Sequence, residues 1–346
     1  MDRPRKLQCM RLLIVGGSVF LGRALVAEAK ARGHEITLFN RGVSSPASEP
    51  GVTLVKGDRN EDLSALDGHT WDAVIDTCGY FPRQVNGLLS ALTGRIDHYT
   101  FVSSVSAYVD LGQPALSESS ELGRLDDEGT ETVTPQTYGP LKALCEVAAE
   151  RAMPGRTLIV RPGIIAGAGD PTDRFSYWVT RLAEDGDVLA AGRREAPVQV
   201  IDVRDLAAWL IAMAEAKQTG IFNAVGPAEP VTMQQMFTRC AEGLNSAARV
   251  IWVDDAFLVA QGLTEWMKLP FYIPAAETRF AGMFTVNGSK ARAAGLQLRP
   301  LQRTATDTWQ WIQSRPGGMA VKTGLAKDQE ERLLTAWSAR PRRTEP

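Results

Sequence analysis

Residues 12–22 read LLIVGGSVFLG. Leu12 to Val15 is a four-residue apolar run that stops at Gly16-Gly17. Phe20, Leu21, Leu25 and Val26 then recur at helical spacing. A strand that ends in glycines and runs straight into a helix allows a tight turn and close approach of backbone to a pyrophosphate. The helix N-terminus supplies free amide donors and a positive dipole end. Gly16 and Gly22 hold the outer positions of the usual three-glycine pattern, while Val19 stands where the middle glycine is expected. Two glycines that merely turn the chain would look the same over so short a stretch, so the surrounding sequence has to decide.

It does so by repetition. Apolar runs at Glu35–Phe39, Thr53–Lys56, Ala73–Asp76, Tyr99–Ser103 and Leu158–Arg161 alternate with helical patterns. Continuous apolar runs are expected of strands buried on both faces. Strand and helix in succession predict an α/β fold: a Rossmann-type, doubly wound parallel sheet with helices on both sides. After Arg161-Pro162 the pattern changes. Residues 166–200 read as loops around an aromatic helix bearing Phe175, Tyr177 and Trp178; Val200–Val203 reads as a strand and Asp205–Ala216 as a helix. From about residue 227 the character is helical, with prolines at 270, 274 and 300. The expected division is a dinucleotide-binding domain of residues 1–165 plus about 198–225. A smaller, mainly helical substrate domain would take about 166–197 plus 226–346. Lys327–Trp337 reads as a packed capping helix with Leu333, Leu334 and Trp337 on one face, and RPRRTEP (340–346) as a solvated tail.

Composition narrows the function classes. The 346 residues are 44% hydrophobic and 23% charged, and 38 basic against 40 acidic residues give a net charge of −2. Such a chain has no global field to draw in nucleic acid or an acidic membrane surface. Cys9, Cys78, Cys145 and Cys240 are far apart, without CxxC spacing, and there are only three histidines, so no metal site is expected. No apolar stretch is long enough for a signal peptide or a membrane span, which predicts a cytoplasmic protein.

Two further stretches carry chemistry. The second strand ends in Phe39-Asn40-Arg41-Gly42. A carboxylate there would bind the ribose 2′-OH of NAD; Arg41 can meet a 2′-phosphate instead, which favours NADP(H) over NAD(H). Tyr138-Gly139-Pro140-Leu141-Lys142 spaces a phenol and an ammonium four residues apart, on one helix face. A neighbouring ammonium favours the phenolate and brings the tyrosine toward useful acid/base behaviour. Upstream, Ser103-Ser104 ends a strand with hydroxyls able to hold a substrate oxygen.

With these residues in view the sequence resembles the extended short-chain dehydrogenase/reductase family, the NAD-dependent epimerase/dehydratases. The resemblance spans most of residues 11–225. It runs from GGSVFLG through Gly57-Asp58-Arg59, Ser103-Ser104 with Tyr108, and Tyr138 with Lys142. It then continues through Arg161-Pro162-Gly163 with Gly167 to Val203-Arg204-Asp205-Leu206-Ala207. It implies Tyr138 as acid/base, Lys142 holding the nicotinamide ribose and lowering the tyrosine pKa, and Ser104 orienting the reacting oxygen. Asp58 would meet the adenine amino group and Thr77-Cys78-Gly79 would line the cofactor. It also places Gly16, Gly17, Ser18, Phe20, Leu21, Gly22, Asn40, Arg41, Arg59, Pro162 and Gly163 against the cofactor, and suggests a homodimer.

The departures bear on the substrate. Val105-Ser106 follows Ser104 where sugar-nucleotide dehydratases of the family carry an acidic pair. Ile164 and Val198 stand where its epimerases carry asparagine and arginine handles for a diphosphate. Arg174, Arg193 and Arg194 are read as solvated loop charges that could substitute. Phe175, Tyr177 and Trp178 are read as core, with a pocket wall as the alternative; Tyr80, Phe81 and Val109 are candidates of the same kind. His34, His69 and His98 are placed at strand entrances or surface loops, none catalytic, and Cys78 is a small lining residue. The expected activity is NADPH-dependent reduction of a small-molecule carbonyl, or the reverse oxidation. The alternatives are an epimerase with retained NAD(P) and a non-catalytic NAD(P)-binding regulatory or RNA-binding protein. Retention of Tyr138 and Lys142, and the charge balance, speak against the last.

Overall fold

The computed structural model describes residues 9–43, 50–227, 231–264, 266–316 and 318–340. The basic start (1–8) and residues 341–346 of the tail lie outside them. The strands in chain order are β1 (Arg11–Val15), β2 (Glu35–Asn40), β3 (Val52–Lys56), β4 (Trp71–Asp76), β5 (Ile96–Val102) and β6 (Thr157–Pro162). There follow β7 (Ile164–Ala166), β8 (Asp187–Ala191), β9 (Pro197–Val198), β10 (Val200–Asp202), β11 (Gly220–Ala224), β12 (Val231–Thr232) and β13 (Arg249–Val253). The helices are α1 (Leu21–Ala31), α2 (Pro82–Ala91), α3 (Tyr138–Ala152), α4 (Arg174–Ala183) and α5 (Val203–Glu215). Then come α6 (Met233–Leu244), α7 (Asp255–Ala260), α8 (Ser289–Ala293), α9 (Leu301–Ser314) and α10 (Lys327–Ser338).

Seven of the strands form one parallel sheet in the order β11-β6-β5-β4-β1-β2-β3. The strand order reverses between β1 and β4, and in such sheets ligands bind outside the carboxyl ends at that point. Register does the positioning. Val15 is level with Phe39 and Asp76, Asp76 with Phe101, and Val102 with Val160. The residues that follow each strand therefore emerge side by side on one edge. Within β1, Leu12 and Ile14 pack under α1 and α5, while Leu13 and Val15 pack under α2 and α3. Both faces of the strand are buried, which is why its sequence shows no polar alternation.

A second core gathers Phe175, Trp178, Leu189, Met236, Phe237 and Phe271 from α4, β8, α6 and the following loops. Phe175, Tyr177 and Trp178 are all buried there, so they are core and do not wall the cleft. This unit includes a parallel β8–β13 pair as well as helices. Ala291, Leu296 and Leu298 return from it to pack on the α1/α5 side of the main sheet. Leu333 of α10 is buried, and Trp337 meets Phe257 edge-on at 5.3 Å.

Several expectations are corrected. The strand predicted at Val200–Val203 exists as β10 but pairs with β7 outside the main sheet. The seventh sheet strand is β11, a five-residue GIFNA segment with too few apolar positions to stand out. His98 is not on the surface: it lies within β5, 1% exposed, its Nε2 2.7 Å from the Gln218 carbonyl. His34 is at a strand entrance but buried, with Nε2 2.9 Å from Glu215.

Candidate active site

The strand ends and loops at the switch point enclose a cavity of about 710 Å³. It is lined by Gly16, Gly17, Ser18, Phe20, Leu21, Gly22, Asn40, Arg41, Asp58, Arg59, Thr77, Cys78, Ser104, Tyr138, Lys142, Pro162 and Gly163. Of the residues expected at the site only Gly79 is missing from the wall; its carbonyl lies just behind, accepting from Lys142 Nζ at 2.9 Å.

The loop after β1 is tight for steric reasons. Gly16 has φ +98°, and a β-carbon there would lie 2.5 Å from Thr77 Oγ1. A β-carbon on Gly22 would lie 2.3 Å from the Gly17 Cα, so glycine lets α1 start against the loop. Asn40 braces the turn, donating from Nδ2 to the Gly16 carbonyl at 2.8 Å and accepting from the Gly42 N–H at 2.8 Å. Arg41 is exposed on the cavity rim. Two Asn60 donors, with Arg41 and Arg59 nearby, hold the Asp58 carboxyl below its ordinary range. These cradles have the form a dinucleotide requires: close backbone, an open helix N-terminus and a cation at the far end.

Below the cavity lies a buried ion pair that no sequence motif announced. Arg59 donates to both oxygens of Asp76, at 2.7 and 2.8 Å, and to the Gln84 carbonyl at 3.1 Å. Asp76 also accepts from the Cys78 N–H at 3.0 Å and from Tyr99 Oη at 2.8 Å. Burial alone would raise the Asp76 carboxyl; the guanidinium and these donors outweigh it and hold it low. Arg59 lines the cavity, but its two Nη groups are engaged with protein. The signal in the sequence was the acid ending β4, which reads only as a strand end.

A second buried network stands behind Ser104. Ser103 Oγ donates to Glu146 Oε1 at 2.5 Å, and Arg161 Nη2 pairs with Glu146 Oε2 at 2.6 Å. Arg161 Nη1 reaches Tyr108 Oη at 3.1 Å, which donates to Asn223 Oδ1 at 2.7 Å. Together these tie β5, α3, β6 and β11 into one frame.

Ser104 caps the single turn 105–107, its Oγ accepting from the Ser106 N–H at 3.1 Å, and its hydroxyl is close enough to the Tyr138 phenol to favour the phenolate. Tyr138 opens α3 and faces Tyr80 at 6.4 Å between ring centroids. Lys142 is 3% exposed, donating also to the Val102 carbonyl at 2.6 Å and lying 4.2 Å from the Phe101 ring centre. Burial pulls its ammonium down to about 8. The expected effect of that ammonium on the phenol differs here. Burial, then Tyr80, push the Tyr138 phenol above its ordinary value, with Ser104 and Arg174 opposing. Lys142 itself is committed to the carbonyls of Gly79 and Val102. The site holds a protonated phenol, suited to giving a proton.

The cavity wall also includes Tyr80, Ser106, Ile164, Asp170, Thr172, Arg174 and Met283. Arg174, read from sequence as a solvated loop charge, belongs to this wall. Arg193 and Arg194 are exposed and away from it, Arg194 lying 5.5 Å from the Trp252 ring centre. Val109 is exposed outside the wall, and Val198 is fully buried in the second core. Among the described residues no group of three or more His, Cys, Asp or Glu could hold a metal ion, and no helix is long and apolar enough to cross a membrane.

No family model matches the chain. It is similar to the bovine (Bos taurus) epimerase family protein SDR39U1, 27% identical over 64% of this chain and 76% of that protein. It is also similar to the chloroplast stem-loop binding protein of 41 kDa b of Arabidopsis thaliana, 32% identical over 29% of this chain and 30% of that one. Other similar proteins are named as a dTDP-6-deoxy-L-talose 4-dehydrogenase, a 2'-dehydrokanamycin reductase and a 3-beta-hydroxysteroid dehydrogenase; the chain spans about half the length of each. Among solved structures, human SDR39U1 with NADPH superposes with a TM-score of 0.60 at 23% identity, over 87% of this chain and 99% of that one. A UDP-glucose 4-epimerase does so with a TM-score of 0.65 at 15% identity, over 89% and 99%.

Proposed function

We propose that this chain, similar to proteins named as an epimerase family protein, a dehydrogenase and a reductase, is an NAD(P)-dependent member of the extended short-chain dehydrogenase/reductase family that uses NADPH to reduce a carbonyl on a small molecule. The observation that carries this reading is the placement of Ser104, Tyr138 and Lys142 on the wall of the cavity that the glycine loop opens. When bound, the nicotinamide supplies the hydride. The chain's own groups do the rest. Ser104 Oγ holds the substrate oxygen, and Tyr138 Oη, kept protonated by burial, gives it the proton as negative charge develops there. Lys142 Nζ, now on two carbonyls, donates to the ribose and restores the proton on the phenol through it. Arg41 at the rim favours the 2′-phosphate of NADPH. The wall of the second unit, with Arg174 and Met283, recognises the substrate.

Nucleotide sugars fit this wall less well. Ile164 presents a methyl-bearing side chain to the cavity where a diphosphate needs a donor, and Val198 is out of reach in the second core. An epimerase would regenerate its cofactor each turnover, whereas this reaction consumes one NADPH per carbonyl reduced. The test is NADPH oxidation with a panel of aldehydes and ketones by the protein and by Tyr138→Phe. The variant keeps ring and packing and should lose about 10²–10⁴-fold in rate while still binding NADPH. Turnover unaffected by the substitution would refute the reading.

A further inference from the structure

Arg174 is the first residue of α4, and it lines the cavity. Its Nε donates to Thr172 Oγ1 at 3.0 Å. No described residue accepts from either of its Nη groups, and it forms no ion pair among the described residues. The nearest acids are otherwise engaged. Asp173 is taken by Arg315 Nη1 at 3.0 Å and by the Lys322 N–H at 3.1 Å. Asp170 gives Oδ1 to the Thr172 N–H at 2.8 Å and to the Thr172 hydroxyl at 2.7 Å. Asp170 is 2% exposed, and its Oδ2 is buried without a partner. Burial raises the Asp170 carboxyl, against the Thr172 hydrogen bonds and the Arg174 charge, which lower it.

A cation taken partly out of water and left with one neutral hydrogen bond is costly unless something else supplies the missing acceptors. The Nε hydrogen bond to Thr172 restrains the plane of the guanidinium, and its Nη pair has no acceptor among the described residues of a wall that Arg174 itself lines. That pair forms the fork that matches two oxygens of a carboxylate or phosphoryl group. The charge also reaches the reacting region, since it acts on the Tyr138 phenol.

We propose that Arg174 anchors an oxyanion of the substrate, carboxylate or phosphoryl, through its two Nη groups and so sets the reacting carbonyl against Tyr138. The substrate class is then an anionic carbonyl compound. The inference rests on the reductase reading above for the reaction but not for the binding. A second source of the same chemistry is the cofactor's own pyrophosphate, because Gly169 in the loop before Arg174 packs close to Phe20 of the glycine loop.

The experiment measures kcat and KM with NADPH on 4-carboxybenzaldehyde, 4-formylphenyl phosphate and the neutral methyl 4-formylbenzoate. The original protein, Arg174→Gln and Arg174→Lys are compared. In parallel, the NADP+-loaded proteins are titrated with 4-(hydroxymethyl)benzoate and its methyl ester, and the cofactor-free proteins with NADPH. We expect an anionic probe to be preferred by about tenfold or more, a ratio that Arg174→Gln collapses mainly through KM and Arg174→Lys partly restores. The titrations should show the same preference, with NADPH affinity little changed. Equal use of charged and neutral probes, or a preference that survives Arg174→Gln, overturns the proposal. A tenfold loss of NADPH affinity in Arg174→Gln also overturns it, by assigning the fork to the cofactor. If no aldehyde is reduced but the benzoate still binds through Arg174, the anchor stands and the reductase reading falls.

Discussion

The backbone of Gly139 packs directly on the carbonyl of Ser106: a β-carbon at residue 139 would lie 1.9 Å from that oxygen. This contact seats the first turn of α3 on the turn 105–107, and so brings Tyr138 to Ser104. The glycine in Tyr138-Gly139 is therefore part of the site although it touches no ligand. Gly139→Ala has no room without moving α3. Overpacking of this kind costs about 1–3 kcal/mol, so the melting temperature should fall by several degrees. Activity should fall further than the loss of folded protein explains, because the phenol and Ser104 separate. A variant with the original kcat would show that the contact is not what positions Tyr138.

The Asp76–Arg59 pair predicts a large, pH-signed effect. Arg59 is 7% exposed, and Asp76→Asn leaves its guanidinium buried without a counter-charge, at a cost of about 3–5 kcal/mol. The Asp76 carboxyl is held below its ordinary value when folded, so its stabilisation is complete above the unfolded pKa of about 3.9 and fades as pH falls through the folded pKa. Urea unfolding at pH 7 and pH 3 checks this: the gap between the original protein and Asp76→Asn should narrow at the lower pH.

Lys142 should make cofactor affinity depend on pH. Its ammonium sits at about 8 in this structure because burial disfavours the charge. A ribose hydroxyl and the negative charge of a bound dinucleotide favour the protonated form, so its pKa is higher in the complex. Binding then takes up a proton, and NADPH affinity should fall as pH rises above about 8. Fluorescence titration from pH 7 to pH 10 measures it. Lys142→Met should bind more weakly at pH 7 and lose the pH dependence; a pH-dependent affinity in that variant would assign the titration to another group.

Arg41 should set cofactor choice. With charge-assisted bonds to a phosphate worth about 1.5–3 kcal/mol when well formed, an exposed arginine should favour NADPH over NADH by about tenfold. Arg41→Ala should bring the two dissociation constants within about threefold of each other. Equal affinities before the substitution would remove the basis for the assignment.

Much of this was legible along the chain. The apolar runs of β1, β2, β4 and β6 identify themselves because strands buried on both faces carry no polar alternation. The glycine loop and the Tyr138/Lys142 spacing identify themselves because their geometry is local, set within one turn or one helix. The edge strand β11 did not, because its five residues carry so little apolar signal.

By itself, then, the sequence determined where most strands of the main sheet run, that this sheet is parallel, and which short motifs sit at its carboxyl edge. Tertiary structure decided what depends on residues distant in the chain. It paired Arg59 with Asp76, turned the Lys142 ammonium to the carbonyls of Gly79 and Val102, and buried the trio around Trp178. It also placed Arg174, a loop charge in sequence, on the wall beside Tyr138. The physical reason is one of range. Dihedral preference and periodicity act within a few residues, whereas the desolvation and pairing of a charge depend on whatever the completed fold brings within a few ångströms of it.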